Sequence, residues 1–174
     1  MTREICLEDK SIVFIGFMGV GKTTIGKAVA NKLKRDFIDV DQELEKEYGM
    51  TVSEIFRKYG ESSFREKEKT FIQSLSTQKQ KVLSLGGGSF LQEEIRQACL
   101  ENCVVIYLNM TFSCWKKRIP LLIPSRPVLQ GKTEEEIEQL FNDRKPIYLE
   151  HHVEVVTDNK TSEEVAEYIL SILH

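Results

Sequence analysis

The chain has 174 residues, enough for one ordinary domain, and balances 24 lysines and arginines against 27 aspartates and glutamates for a formal net charge of -3. That balance argues against a nucleic-acid binder driven by bulk charge, so any anion site must be local. No apolar stretch approaches the roughly 18 residues that a membrane span needs, and nothing at the N-terminus reads as a signal peptide, so a cytoplasmic protein is expected.

The first apolar run, Ile12-Val13-Phe14-Ile15, reads as a strand. It leads into Gly16-Phe17-Met18-Gly19-Val20-Gly21-Lys22-Thr23 and then a helical pattern beginning near Thr24. This is the phosphate-binding loop signature in its strand, loop, helix context. Its glycines free the backbone to turn successive N–H groups around a polyphosphate, the helix start adds its positive dipole end, Lys22 supplies a cation and Thr23 a hydroxyl for magnesium.

Further short strands are expected at 37–40, 82–85, 104–108 and 153–156, rich in valine and isoleucine as strands buried on both faces should be. Helical faces lie between them: Ile25, Ala28, Val29 and Leu33; Ile95, Ala98 and Cys99; and Val165, Ile169, Ile172 and Leu173, with Thr161 capping the last. Strands alternating with helices predict a three-layer α/β/α domain with a parallel sheet, its ligand crevice at the carboxyl ends of the strands. One domain over 1–174 is expected, with a helical insertion at about 41–77 and a lid or loop at about 118–131, where Pro120, Pro124 and Pro127 cluster without helical or strand period.

Several residues in this frame are chemically suggestive. Asp39 and Asp41 end the second strand; they point the same way if the backbone stays extended, as a magnesium or proton-accepting pair, or else Asp41 caps a helix over 43–48. Arg65 and Glu68 share a side with Phe64, Phe71, Ile72 and Leu75, which reads as a fixed ion pair aimed at a ligand or as two snorkelling side chains. Arg144 sits seven residues after Ile137 on the face of a helix from Thr133, suited to a carboxylate or phosphate or to an internal salt bridge, and Pro146 should end that helix. Gly86-Gly87-Gly88 closes the third strand, where glycines are expected only if a ligand or backbone comes very close. Arg126 reads as a lid cation for a transferred phosphoryl and Arg118 as a base-stacking guanidinium, or both as solvated loop charges. Cys6, Cys99, Cys103 and Cys114 read as reduced buried thiols, and His151, His152 and His174 as surface residues without partners.

Taken together, the phosphate loop with Thr24, Phe37-Ile38-Asp39-Val40-Asp41, Gly60-Glu61 with Phe64-Arg65, the triple glycine, Arg126-Pro127-Val128-Leu129 and Arg144-Lys145-Pro146-Ile147-Tyr148 resemble the shikimate kinase family over nearly the whole chain. The resemblance implies transfer of the ATP γ-phosphoryl to the 3-hydroxyl of shikimate in aromatic amino-acid biosynthesis; a monomer is expected, and the charge balance and lack of an apolar span predict no nucleic-acid or membrane partner. It implies a five-stranded sheet in 2-3-1-4-5 order. By the same resemblance Lys22 and the amides of Gly19, Val20, Gly21, Thr23 and Thr24 hold ATP, and Thr23 with Asp39 serves Mg2+. Asp41 binds and orients the shikimate hydroxyls. Arg65 and Arg144 clamp the carboxylate, Glu68 steadies Arg65, and Gly87, between Gly86 and Gly88, offers an N–H. Phe56 and Phe64 wall the ring. Arg126 is the lid arginine, and Arg118 with the loop carrying Asn159 flanks adenine. The apolar lid sequence Ile119-Pro120-Leu121-Leu122-Ile123 departs from the family and needs a packing partner. Gluconate or nucleoside monophosphate phosphorylation is the nearest alternative, and a non-catalytic nucleotide-binding regulator is one of another class.

Overall fold

The computed structural model describes residues 9–173, apart from the Pro127 side chain; Cys6 and His174 lie outside them. Five parallel strands, β1 (Ile12–Ile15), β2 (Asp36–Asp39), β3 (Lys81–Ser84), β4 (Val104–Asn109) and β5 (Val153–Val156), form one sheet in the order β2-β3-β1-β4-β5. That is the expected order. Central β1 pairs Val13 with Leu83 on one side and Val105 on the other, and all four of its residues are buried. The outer strands β2 and β5 are only partly buried, unlike the expectation, because each has a neighbour along one edge only.

Helices connect the strands: α1 (Lys22–Leu33), α2 (Val40–Tyr48), α3 (Val52–Tyr59), α4 (Glu61–Ser76), α5 (Glu93–Asn102), α6 (Phe112–Trp115), α7 (Ile119–Leu122), α8 (Glu134–Arg144) and α9 (Ser162–Ile172). Their starts are written locally. Thr51 with Glu54, Thr133 with Glu136 and Thr161 with Glu164 each form a reciprocal capping box for α3, α8 and α9. α2, α3 and α4 follow one another between β2 and β3, with α4 packed on α5, while α1 packs on α9.

Two expectations change. The proline-rich stretch is not without helical structure: α7 and 3-10 turns at Lys116–Arg118, Ile123–Ser125 and Pro127–Leu129 run through it. Pro120 and Pro124 sit at the starts of their turns, where a missing N–H leaves no bond unmade. The histidines at 151 and 152 have partners. His152 is exposed, yet its Nδ1 accepts the Val105 N–H at 2.9 Å while its own N–H donates to the Val105 carbonyl at 2.9 Å, so it starts the β4–β5 pairing. His151 Nδ1 lies 2.6 Å from the Tyr148 carbonyl.

Cys99 and Cys103 are free and buried, and burial pushes both thiols up, that of Cys103 to about 11. Cys114 is half-buried rather than buried. Among the described residues no helix is long and apolar enough to cross a membrane.

Candidate active site

The crevice forms where β1, β2 and β3 end. Gly19 has φ 77° and Gly21 φ 106°, and α1 begins at Lys22 without a capping side chain. Among the described residues the amides of Gly19, Gly21, Lys22, Thr23 and Thr24 have no protein acceptor, which makes this loop and helix start an anion cradle. Lys22 Nζ is folded into it, donating to the carbonyls of Gly16 at 2.7 Å and Phe17 at 3.0 Å. Burial first, then the charge of Arg126, lowers the Lys22 ammonium to about 8.

Thr23 Oγ1 donates to Asp39 Oδ2 at 2.7 Å. A hydroxyl and a carboxylate oxygen so placed fit the few protein oxygens that Mg2+ takes when waters and phosphates complete its shell. No cluster of three or more His, Cys, Asp or Glu side chains suited to a metal occurs among the described residues.

The two aspartates do not sit on one extended strand. The chain turns into α2 at Val40, and Asp39, not Asp41, is the N-cap, its Oδ1 accepting the Gln42 N–H at 3.0 Å. Asp41 therefore lies in the first helical turn. Its carboxyl is pushed up to about 6 by burial above all, then by Glu68 and Asp39, against the opposing pull of Lys22 and Arg126. A carboxyl shifted so far in a crevice, beside two cations, is suited to accept a proton near neutral pH.

Asp41, Arg65 and Arg144 converge on the triple glycine. A Cβ on Gly86 would stand 2.8 Å from Asp41 Oδ2, and one on Gly88 would stand 2.7 Å from an Arg65 terminal nitrogen and 3.4 Å from one of Arg144. Both guanidinium groups thus reach the same backbone spot from α4 and α8, which is the close approach the glycines imply. Arg65 donates to Glu68 at 2.9 Å, and its Nε is 3.5 Å from Glu61. Glu68, fully buried, also accepts from Ser89 Oγ at 2.8 Å and Gln92 Nε2 at 2.9 Å. Phe56 and Phe64 meet edge to face at 5.1 Å, with the Arg65 guanidinium 5.6 Å from each ring. Arg144 donates to the Gly87 carbonyl at 3.2 Å, and the 3-10 turn Lys145–Tyr148 carrying Pro146 ends α8 as expected.

Residues 116–131 cover the other side of the phosphate loop. Arg118 donates to the Gly19 carbonyl at 2.6 Å, and Leu122, one turn later, lies directly over Gly19. Leu122, Ile119 and Ile123 are packed against the core, so the apolar lid residues have the partner they need, except Leu121, which is exposed. Arg126 is exposed, yet its charge is felt by both Lys22 and Asp41. Beside the loop a cavity of about 420 Å³ is lined by Met110, Cys114, Lys117, Arg118, Thr157 and Asn159. The structure therefore puts Arg118 at both the cavity and the phosphate loop, where the sequence suggested the base alone.

Sequence reasoning missed two supporting aromatics. Trp115, wholly buried against Phe17 and Phe141, donates its indole N–H to the Met18 carbonyl at 2.8 Å. Tyr148 donates to the Gly87 carbonyl at 2.6 Å. Neither contact leaves a local signal, because each partner is more than sixty residues away in the chain.

Comparison with known proteins follows the same lines. The family model described as Shikimate kinase matches residues 18–174. A shikimate kinase of Oceanobacillus iheyensis is 57% identical over 167 residues, 96% of this chain and 91% of that protein. A solved shikimate kinase from Bacteroides thetaiotaomicron superposes with a TM-score of 0.84 at 30% identity, covering 94% of this chain and 97% of its own. The Acinetobacter baumannii shikimate kinase, solved in complex with shikimate, gives 0.80 at 30% identity over 95% and 93%.

Proposed function

Since the chain belongs to the shikimate kinase family, we propose that its crevice transfers the γ-phosphoryl of ATP to the 3-hydroxyl of shikimate, yielding shikimate 3-phosphate and ADP. The observation that supports this most directly is the convergence of Arg65, Arg144 and Asp41 on Gly86-Gly87-Gly88, opposite Lys22. Two guanidinium groups at one spot suit a carboxylate, and a carboxyl beside the lysine suits a hydroxyl that must meet the γ-phosphate.

The open amides of Gly19, Gly21, Lys22, Thr23 and Thr24, together with the Lys22 ammonium, bind the polyphosphate, drawing the lysine off its carbonyls, while the Val20 N–H, expected in the same role, donates instead to the Phe17 carbonyl at 3.4 Å. Thr23 and Asp39 hold Mg2+, which when bound neutralises charge on the phosphate oxygens. Arg65, kept in place by Glu68, and Arg144 bind the carboxylate, the N–H of Gly87 adds a donor, and Phe56 and Phe64 bound the ring. Asp41 orients the attacking hydroxyl and accepts its proton as the new O–P bond forms and the bond to the bridging oxygen of ADP breaks. Arg126, on the lid, offsets the charge spreading over the transferred group. Arg118 and Asn159 line the space for adenine. The reading covers one domain over 1–174, with a substrate-binding insertion at about 41–77 and a lid at about 118–131. It is that of a cytoplasmic monomer whose partners are ATP and shikimate.

The test is a coupled assay of ADP release with Mg-ATP and a panel of shikimate, gluconate and nucleoside monophosphates. ADP release dependent on shikimate is expected. Rapid turnover of gluconate or a nucleotide with none of shikimate would overturn the assignment, and tight nucleotide binding with no transfer to any acceptor would favour a regulator.

A further inference from the structure

The mechanism above uses the triple-glycine loop but not what holds it. All three of its carbonyls are tied on the protein side: Gly86 O accepts the Ser89 N–H at 3.1 Å, Gly88 O accepts the Leu91 N–H at 3.2 Å, and Gly87 O accepts Tyr148 Oη at 2.6 Å and an Arg144 nitrogen at 3.2 Å. A peptide unit is planar and its C=O and N–H point in opposite directions, so fixing a carbonyl fixes the next amide on the other side. Among the described residues the amides of Gly86, Gly87 and Gly88 have no protein acceptor. With no side chains to pack, three successive glycines would otherwise sample many backbone states.

Tyr148 is built for this restraint. It is 1% exposed, its ring stacks on Tyr107 at 5.4 Å, and its backbone carbonyl meets His151 Nδ1. Burial pushes its phenol well above the ordinary range, so the hydroxyl stays a proton donor wherever the protein is folded. It shares its acceptor with Arg144, so one phenol sets both the turned-away amides of the loop and the seat of one arginine.

We propose that Tyr148 is a positioning residue for acid recognition: by holding the Gly87 carbonyl it aims the loop amides and Arg144 at the substrate carboxylate. This rests on the shikimate-phosphorylating reading given above. Gly87 does lie against the phosphate loop, where a Cβ would stand 3.4 Å from the Met18 nitrogen, but that loop has its own ties through Trp115 and Arg118 and keeps its shape when the phenol is lost.

The test is Tyr148→Phe, which removes only the hydroxyl, with Tyr107→Phe as a control whose hydroxyl donates instead to Asn109 at 3.3 Å. In the ADP-release assay Tyr148→Phe should raise KM for shikimate about tenfold, the size of one lost hydrogen bond, while KM for ATP stays within about twofold. The control should leave both constants near wild type. In 15N-labelled protein the Gly87 and Gly88 amide resonances should move in Tyr148→Phe without any ligand, a readout independent of turnover. An unchanged shikimate KM with unmoved glycine amides would overturn the inference even if the wild type phosphorylates shikimate. Equal rises in both KM values would also overturn it, as the mark of a general loss of structure. A wild type inert toward shikimate, with the amides still moving, would instead refute the substrate assignment and leave the loop restraint standing.

Discussion

Asp41→Asn should cost the protein its activity and make it more stable. Burial, with Glu68 and Asp39 nearby, raises the Asp41 carboxyl from an ordinary 3.8 to about 6. A raised acid favours the folded state only while protonated: the penalty is absent below the unfolded value, grows as pH climbs through the window between 3.8 and about 6, and is complete above it. At about 1.4 kcal/mol for each tenfold change in proton affinity the ceiling is about 3 kcal/mol. Because the side chain is only half-buried, solvent screening leaves about 1–2 kcal/mol. In a chain of this length that corresponds to a melting temperature higher by about 3–6 °C in the asparagine variant at pH 8, and by about half as much at pH 5. Thermal melts of both proteins at the two pH values read the difference directly. The coupled assay should show turnover reduced about 10²–10⁴-fold, with nucleotide affinity largely intact. A variant no more stable than wild type at pH 8 would refute the electrostatic argument. Near-normal turnover would remove Asp41 from the chemistry.

Two further outcomes are expected. Gly88→Ala puts a methyl 2.7 Å from an Arg65 nitrogen, so the arginine must withdraw; KM for shikimate should rise about tenfold or more with KM for ATP little changed, as initial rates will show. Trp115 is the only tryptophan and is tied to the Met18 carbonyl, so its fluorescence should respond to a non-hydrolysable ATP analogue more than to shikimate; a spectrum indifferent to nucleotide would show that the phosphate loop keeps its shape on binding.

Much of this architecture was legible in the residues. The phosphate loop could be read because its glycines, lysine and threonine are contiguous, and the sheet because buried β-branched runs recur between helical periods. Arg65 with Glu68 was legible because a spacing of three on a helix makes neighbours. Asp39 and Asp41 were harder: alternation on a strand and the first turn of a helix give equally reasonable pictures, and only the cap at Asp39 separates them. The lid turns were hidden by prolines, which read as breakers until their position at a turn start is known. Ser89, Gln92, Trp115 and Tyr148 support the site through contacts closed by folding, so no window along the chain contains them.

The seat of Leu122 over Gly19 ties two distant stretches to one another's size. A methyl group at position 19 would come within 2.6 Å of the leucine, besides straining a backbone held at φ 77°. The bare α-carbon is therefore both what allows the left-handed turn of the phosphate loop and the socket in which the lid rests. A bulkier loop residue would need a smaller lid residue and would still be strained at φ 77°, and a polar lid residue would leave that socket to water, so it is the glycine that sets what the lid can place there.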